Sequence, residues 1–267
     1  MSLLEIERLT VSFHRRAGLL RRVNVDCVRD ISLAVARGEV LALFGASGAG
    51  KSLVAHAVMG LLPANATAGG AMRFDGRLLD PPAQAALRGS RIALIPQSIG
   101  HLDPLATVGQ QLRWAARRAG HPMTVPGAVE GALSRFDLAP AVAATFPHAL
   151  SGGMARRVML AMTTVSGADL VIADEPSNGL DAENTARVFR CLKSFAEAGK
   201  AVIVISHDLS AALEIADRVV LLRDGQVAAQ ERANAFAGDG EALCAAYARA
   251  IWNALPQNGF SRGHHEA

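Results

Sequence analysis

The stretch VLALFGASGAGKS, residues 40–52, decides how this chain is read. Five apolar residues, 40–44, run straight into a loop rich in glycine. That loop, Gly45-Ala46-Ser47-Gly48-Ala49-Gly50-Lys51-Ser52, fits G-x-x-x-x-G-K-[ST] without a gap. The apolar pattern makes 40–44 a short buried strand and 52–62 a helix, which is the context the motif requires. Glycines let the main chain wrap an anion with successive N–H groups pointing inward. The positive end of the next helix adds to that field. Lys51 reaches the β- and γ-phosphates of a nucleoside triphosphate, and the Ser52 hydroxyl can ligate Mg²⁺. The expected binding loop therefore runs from Gly45 through Leu53. A flexible Gly/Ala/Ser turn is the plain alternative. Against it, the chain has only three lysines, Lys51, Lys193 and Lys200, and one occupies the required slot.

A second stretch, Leu170-Val-Ile-Ala-Asp174-Glu175, is an apolar strand ending in two carboxylates. Such a strand is a weak signal alone and a strong one downstream of a phosphate loop. Asp174 is assigned to Mg²⁺ and Glu175 to the attacking water as general base.

Composition narrows the setting. The chain has 267 residues, 51% of them hydrophobic and 19% charged, which excludes disorder and collagen-like repeats. Mean hydropathy is positive, but the longest window without a formal charge, 52–72, contains Pro63 and three glycines, so no membrane span is expected. The first residues lack a secretory pattern, which points to the cytoplasm. Cys27, Cys191 and Cys244 are scattered, against zinc or iron–sulfur ligation. A net charge of +3 is too small to argue for nucleic acid. Arg15, Arg16, Arg21 and Arg22 form a local cluster, either a solvated loop or a phosphate or lipid-headgroup contact.

Strands are expected at 3–13 and 25–35 around that Arg-rich loop, at 70–75 as an edge strand, and at 91–95, 170–173, 201–206 and 219–222. Helices are expected at 182–198 and 209–216, with another after Ser151 reaching Val165, and Asp224-Gly225 marks a hairpin. Residues 108–138 read as a small helical insertion, and the tail from Asn234 as amphipathic helix. Strands alternating with helices give an α/β fold, a P-loop NTPase with a mostly parallel sheet.

Further strings extend the pattern. Leu150-Ser151-Gly152-Gly153-Met154 lies with its serine 23 residues before Asp174, and His207 lies 33 residues after it. Gln97 follows the strand at 91–95, and Asn178-Gly179-Leu180-Asp181 follows the carboxylate pair. In this order the motifs resemble those of ATP-binding-cassette (ABC) ATPases over residues 3–232. The resemblance implies a RecA-like core, an antiparallel β subdomain and an inserted helical subdomain at about 100–165. The ATPase domain would then be 1–235 and the tail 236–267.

It also implies roles. Two cassettes pair head to tail with two ATPs between them, each ATP meeting the Lys51 loop of one subunit and Ser151, Gly152 and Gly153 of the other. Gln97 contacts metal or water, His207 braces the γ-phosphate, and Phe13 stacks on adenine. Read alone, His207 is better taken as a hydrogen-bonded histidine capping a helix, while Gln97 has the alternative of a surface residue after Pro96 and Phe13 that of a core side chain.

Within the family, Gln97-Ser98, Leu102-Asp103-Pro104-Leu105, Val108-Gly109-Gln110-Gln111 and Phe146-Pro147-His148 are similar to the dipeptide, oligopeptide and nickel (metallophore) importer branch. That branch usually has Glu or Gln at Ala149 and Gln at Arg156. A single cassette without a fused membrane domain resembles the separate ATPase subunit of such an importer, peripheral on the cytoplasmic face of the inner membrane. Its expected partners are a like or unlike cassette, integral-membrane permease subunits docking near 97–111, and an external solute-binding protein. The alternative is a soluble ABC ATPase acting on nucleic acid or protein complexes. The Trp252-to-Phe260 string is similar to nickel-type subunits, and His264, His265 and Glu266 read as either a metal-binding tail or a loose terminus. The motif predicts that Lys51→Ala weakens ATP binding about tenfold or more, since a charge-assisted hydrogen bond is worth roughly 1.5–3 kcal/mol. Equilibrium titration with a fluorescent ATP analogue measures it, and wild-type affinity would contradict the assignment.

Overall fold

A computed structural model describes residues 2–17, 21–255 and 258. His264, His265 and Glu266 lie outside the described residues. Strands β1 (Ser2–Ala17) and β2 (Arg21–Ala36) form a long antiparallel hairpin. Next come β3 (Val40–Gly45), α1 (Lys51–Met59), β4 (Ala66–Phe74) and β5 (Arg77–Leu78). Then follow α2 (Pro81–Leu87), β6 (Ile92–Ile95), α3 (Val108–Arg118), α4 (Ala128–Ser134), α5 (Gly152–Ser166) and β7 (Leu170–Asp174). The chain continues through α6 (Ala182–Glu197), β8 (Ala201–Ser206), α7 (Leu209–Leu213), β9 (Arg218–Arg223), β10 (Gln226–Arg232) and α8 (Ala246–Asn253).

Two sheets result. The larger runs β10-β9-β3-β8-β7-β6, parallel except for the β9–β10 hairpin turned at Asp224-Gly225. The smaller is antiparallel, β2-β1-β4-β5. The parallel strands are buried on both faces, as their near-continuous Val/Ile/Leu runs require. Alternate residues serve two separate cores. Ala42, Val171, Val202 and Leu221 face helices α3 to α7, whereas Leu43, Ile172, Ile203 and Leu222 face α1 and the antiparallel sheet.

Two local expectations are corrected. The arginine cluster is not a loop, because the hairpin pairs the backbone of Arg15 with Val23 and of Arg16 with Arg22. The 70–75 strand is longer and is not at an edge: β4 lies between β1 and β5. Gly69 and Gly70 do not break it. Gly70 takes a positive φ of 90° where a Cβ would stand 2.4 Å from the Arg8 carbonyl oxygen, opposite an irregularity of β1. Glycine there permits a bulge in a continuous strand. Helix α1 starts at Lys51 and stops at Met59 because Gly60 turns left-handed at φ 63°.

The insertion is helical, as expected, with Leu112 of α3, Leu133 of α4 and Val158 of α5 in one core. Helix α3 opens with a reciprocal cap between Thr107 and Gln110. The tail returns to the same core. Trp252 of α8 is 8% exposed, meets Phe236 edge-on, and donates from Nε1 to the Gly238 carbonyl at 3.0 Å. Trp252→Ala is therefore expected to lower unfolding free energy by about 3 kcal/mol, read from a urea titration. An unchanged midpoint would show that the tail lends the domain no stability.

Candidate functional site

Strand β3 ends at Gly45, and six residues later α1 begins. Three glycines shape the connection. A Cβ on Gly45 would lie 2.5 Å from the Leu222 carbonyl oxygen of β9. Gly48 and Gly50 hold φ of 81° and 94°, which L side chains rarely adopt. A Cβ on Gly50 would also press on Val28 of β2 at 3.0 Å. No side chain caps α1, so its first N–H groups are left for an anion. Lys51 is buried, and its ammonium donates to the Gly45 and Ala46 carbonyls at 2.6 and 3.1 Å, lying across its own loop. A phosphate can take over those donors without moving the helix. Phe13 is half-buried on the apolar cluster that also contains Ala49 and Leu53.

The carboxylates arrive from β7, two strands away. Asp174 is buried and accepts from the Ser52 hydroxyl at 3.1 Å. Burial raises its pKa, the Ser52 hydrogen bond works against that, and the charge of Glu175 adds to it. A hydroxyl beside a carboxylate is a hard-oxygen pair suited to Mg²⁺, which takes one or two protein ligands and fills its octahedron with phosphate and water. Asp174 and Ser52 fit that ion. Glu175 is buried at a positive φ of 47°, and its N–H donates to the Ile205 carbonyl of β8 at 2.8 Å. Its Oε2 meets His207 Nδ1 at 2.6 Å, just beyond the end of β8. With Glu175 ionised, Nδ1 carries the shared proton.

Lys51, Ser52, Asp174, Glu175 and His207 thus gather at the carboxyl ends of neighbouring strands, where open parallel sheets bind ligands. Ser151 caps α5 by accepting from Met154 N–H at 3.2 Å, and Ser151 and Gly152 are exposed. Gly152 shares a cavity of about 400 Å³ with Gln97, Asn178 and Gly179. Gln97 is exposed. Sequence reasoning missed three contributors. Cys27 and Val28 of β2 pack against Gly50 of the loop and Gly225 of the β9–β10 turn, and no motif marks them because only backbone and methyl contacts are involved. Arg156, noted above only as a departure from a pattern, is buried with its guanidinium on the Pro96 and Gln97 carbonyls.

Since burial makes the ionised form of Asp174 unfavourable, stability from this group falls as pH rises through its raised folded pKa. Asp174→Asn is uncharged at every pH. It is expected to leave the thermal midpoint at pH 7 unchanged or higher, while Mg²⁺-dependent ATP turnover drops about a hundredfold or more. A midpoint lowered by several degrees would reverse the sign argued here.

Comparison with known proteins gives the family and the fold. The ABC transporter family profile matches residues 28–178. The oligopeptide transport ATP-binding protein OppD of Lactococcus lactis subsp. cremoris is 36% identical, over 85% of this chain and 68% of its own length. The glutathione import ATP-binding protein GsiA of Salmonella choleraesuis is 33% identical over 98% of this chain, which spans only 43% of that protein. The dimeric ATP-binding cassette MJ0796, solved with ADP and Pi, superposes with a TM-score of 0.75 at 23% identity, covering 86% of this chain and 98% of that one, a likeness of fold. A phosphate loop, a paired carboxylate strand end and a family match that spans both converge: the chain belongs to the ABC transporter family, as an ATPase cassette.

Proposed function

We propose that this chain is the ATP-hydrolysing subunit of an importer for peptide-like or nickel-type cargo, working as a head-to-tail pair of cassettes on the cytoplasmic face of the inner membrane. One observation carries the reading. At the signature helix start Ser151 and Gly152 are exposed and Gly153 is half-buried, and the Ser151 hydroxyl bonds only its own helix among the described residues. Its N–H groups and dipole are therefore available to a nucleotide held by a second subunit. ATP is then the bridge, and its hydrolysis removes the contacts that hold the pair closed.

The chemistry follows from the chain's own groups. Residues 45–53 cradle the phosphates, Lys51 moves from its carbonyls to the β- and γ-oxygens, and Phe13 offers a face to adenine. Ser52, Asp174 and Gln97 would hold Mg²⁺, which would supply positive charge to offset the phosphates. Glu175 takes a proton from water as that water bonds to the γ-phosphorus; the bond to the β–γ bridging oxygen breaks, and ADP leaves with phosphate. His207 fixes one Glu175 oxygen through Nδ1.

A permease surface is available. A cavity of about 710 Å³ between the parallel sheet and the helical insertion is lined by Met59, Leu61, Leu102, Trp114, Met159 and Met162. Trp114 is 50% exposed and nearby Leu105 88%. Apolar exposure on this scale marks a partner site. Gln111 lies inside, bonding the Asp103 and Ala106 carbonyls, so it shapes the loop beside the cavity. No helix of the described residues is long and apolar enough to cross a membrane.

Glu175→Gln should retain ATP binding, lose turnover by about a hundredfold or more, and trap an ATP-bound pair on gel filtration. Unchanged turnover would refute the general-base role. Co-purification with integral-membrane proteins separates the importer from a soluble ATPase of the same family.

A further inference from the structure

Arg156 is the feature that the ATPase reading leaves unexplained. It sits on α5, five residues after Ser151, and is 2% exposed. Among the described residues no carboxylate pairs with it. Nη1 donates to the Pro96 carbonyl at 2.6 Å and Nη2 to the Gln97 carbonyl at 2.9 Å, while Nε is buried without a partner. Burying an uncompensated guanidinium is expensive, and an apolar or neutral residue would fill the space at lower cost. The carbonyls it holds belong to main chain leaving β6, the edge strand of the parallel sheet. No neighbouring strand on that side holds this segment, and Pro96 has no N–H of its own to anchor it.

We propose that Arg156 is a positioning residue: its two-pronged hold on the Pro96 and Gln97 carbonyls locks the Gln97 segment to the first turns of the signature helix, so that the two move as one body. The inference rests on the proposed ATPase pairing. Gln97 senses the nucleotide in the chain's own site, whereas Ser151 to Gly153 serve the nucleotide of the other subunit. A rigid link between them makes presentation of the signature depend on occupancy of the chain's own loop. The planar fork of Arg suits two carbonyls in series, and Lys, a single point charge, does not reproduce it. The cavity lined by Gln97, Gly152, Arg156 and Asn178 leaves the segment little other support on its solvent side.

Amide hydrogen exchange of the full chain, with and without MgATP, tests the link together with steady-state ATPase kinetics. In the wild type, MgATP should slow exchange in both 96–104 and 150–158. In Arg156→Met the response should persist in 96–104 and vanish in 150–158, with kcat down about tenfold and KM within about twofold. Arg156→Gln, which restores one donor, should recover kcat to within about threefold of wild type and regain the 150–158 response. If Arg156→Met does not fold, Arg156→Lys takes its place with the same expectation. The proposal fails if Arg156→Met keeps the 150–158 response, or if Arg156→Gln is as defective as Arg156→Met. No MgATP response anywhere in the wild type would overturn the ATPase reading instead. The link is then judged without nucleotide, where Arg156→Met must speed exchange of 96–104.

Discussion

Strands β3, β7 and β8 are buried on both faces, so their side chains are committed to packing and only their carboxyl ends are free for chemistry. Everything functional follows from which ends lie side by side. β3 delivers the phosphate loop, β8 delivers His207, and β7 delivers Asp174 and Glu175, in the order β3-β8-β7. Because the pairs are parallel, all three ends open at one edge of the sheet. A charge placed there is shielded from water without being enclosed, which is the setting in which a buried lysine and two buried carboxylates coexist.

The site is poised by its own contacts. Lys51 rests on two carbonyls of its loop, and Glu175 is held by His207 and by its N–H to Ile205. These are charge-assisted or backbone hydrogen bonds, strong enough to fix geometry. The Lys51 contacts are exchangeable for better ones when a triphosphate enters. Asp174 is the counterpart: its burial raises the carboxyl pKa, the Ser52 hydroxyl opposes that rise, and the charge of Glu175 adds to it.

The outer layer of helices answers a different constraint. Helices α3, α4 and α5 bury their apolar faces in one core with the sheet, yet α3 leaves Trp114 half-exposed in the lining of a groove. α5 carries the exposed signature at its start and the buried Arg156 within its second turn. One helix thus faces outward with its N–H groups and inward with a guanidinium, an arrangement that joins the inserted subdomain to the segment following β6.

The sequence alone determined the phosphate loop, the carboxylate pair, the signature and the alternation of strands and helices. Each of these is written in local spacing: glycines where backbone must approach or turn left-handed, and apolar runs where both faces are buried. Local spacing could not tell that the Arg-rich segment continues as a paired hairpin, because pairing is decided by the facing strand. Nor could it place β4 inside a sheet, since a bulge lets two glycines stay in register. Only the tertiary structure decided that Cys27 and Val28 wall the loop and that Arg156 grips the carbonyls of Pro96 and Gln97, about 60 residues away in sequence. The physical reason is that these contacts are made to backbone atoms, and a carbonyl looks the same in every residue, so the sequence of the partner carries no trace of them.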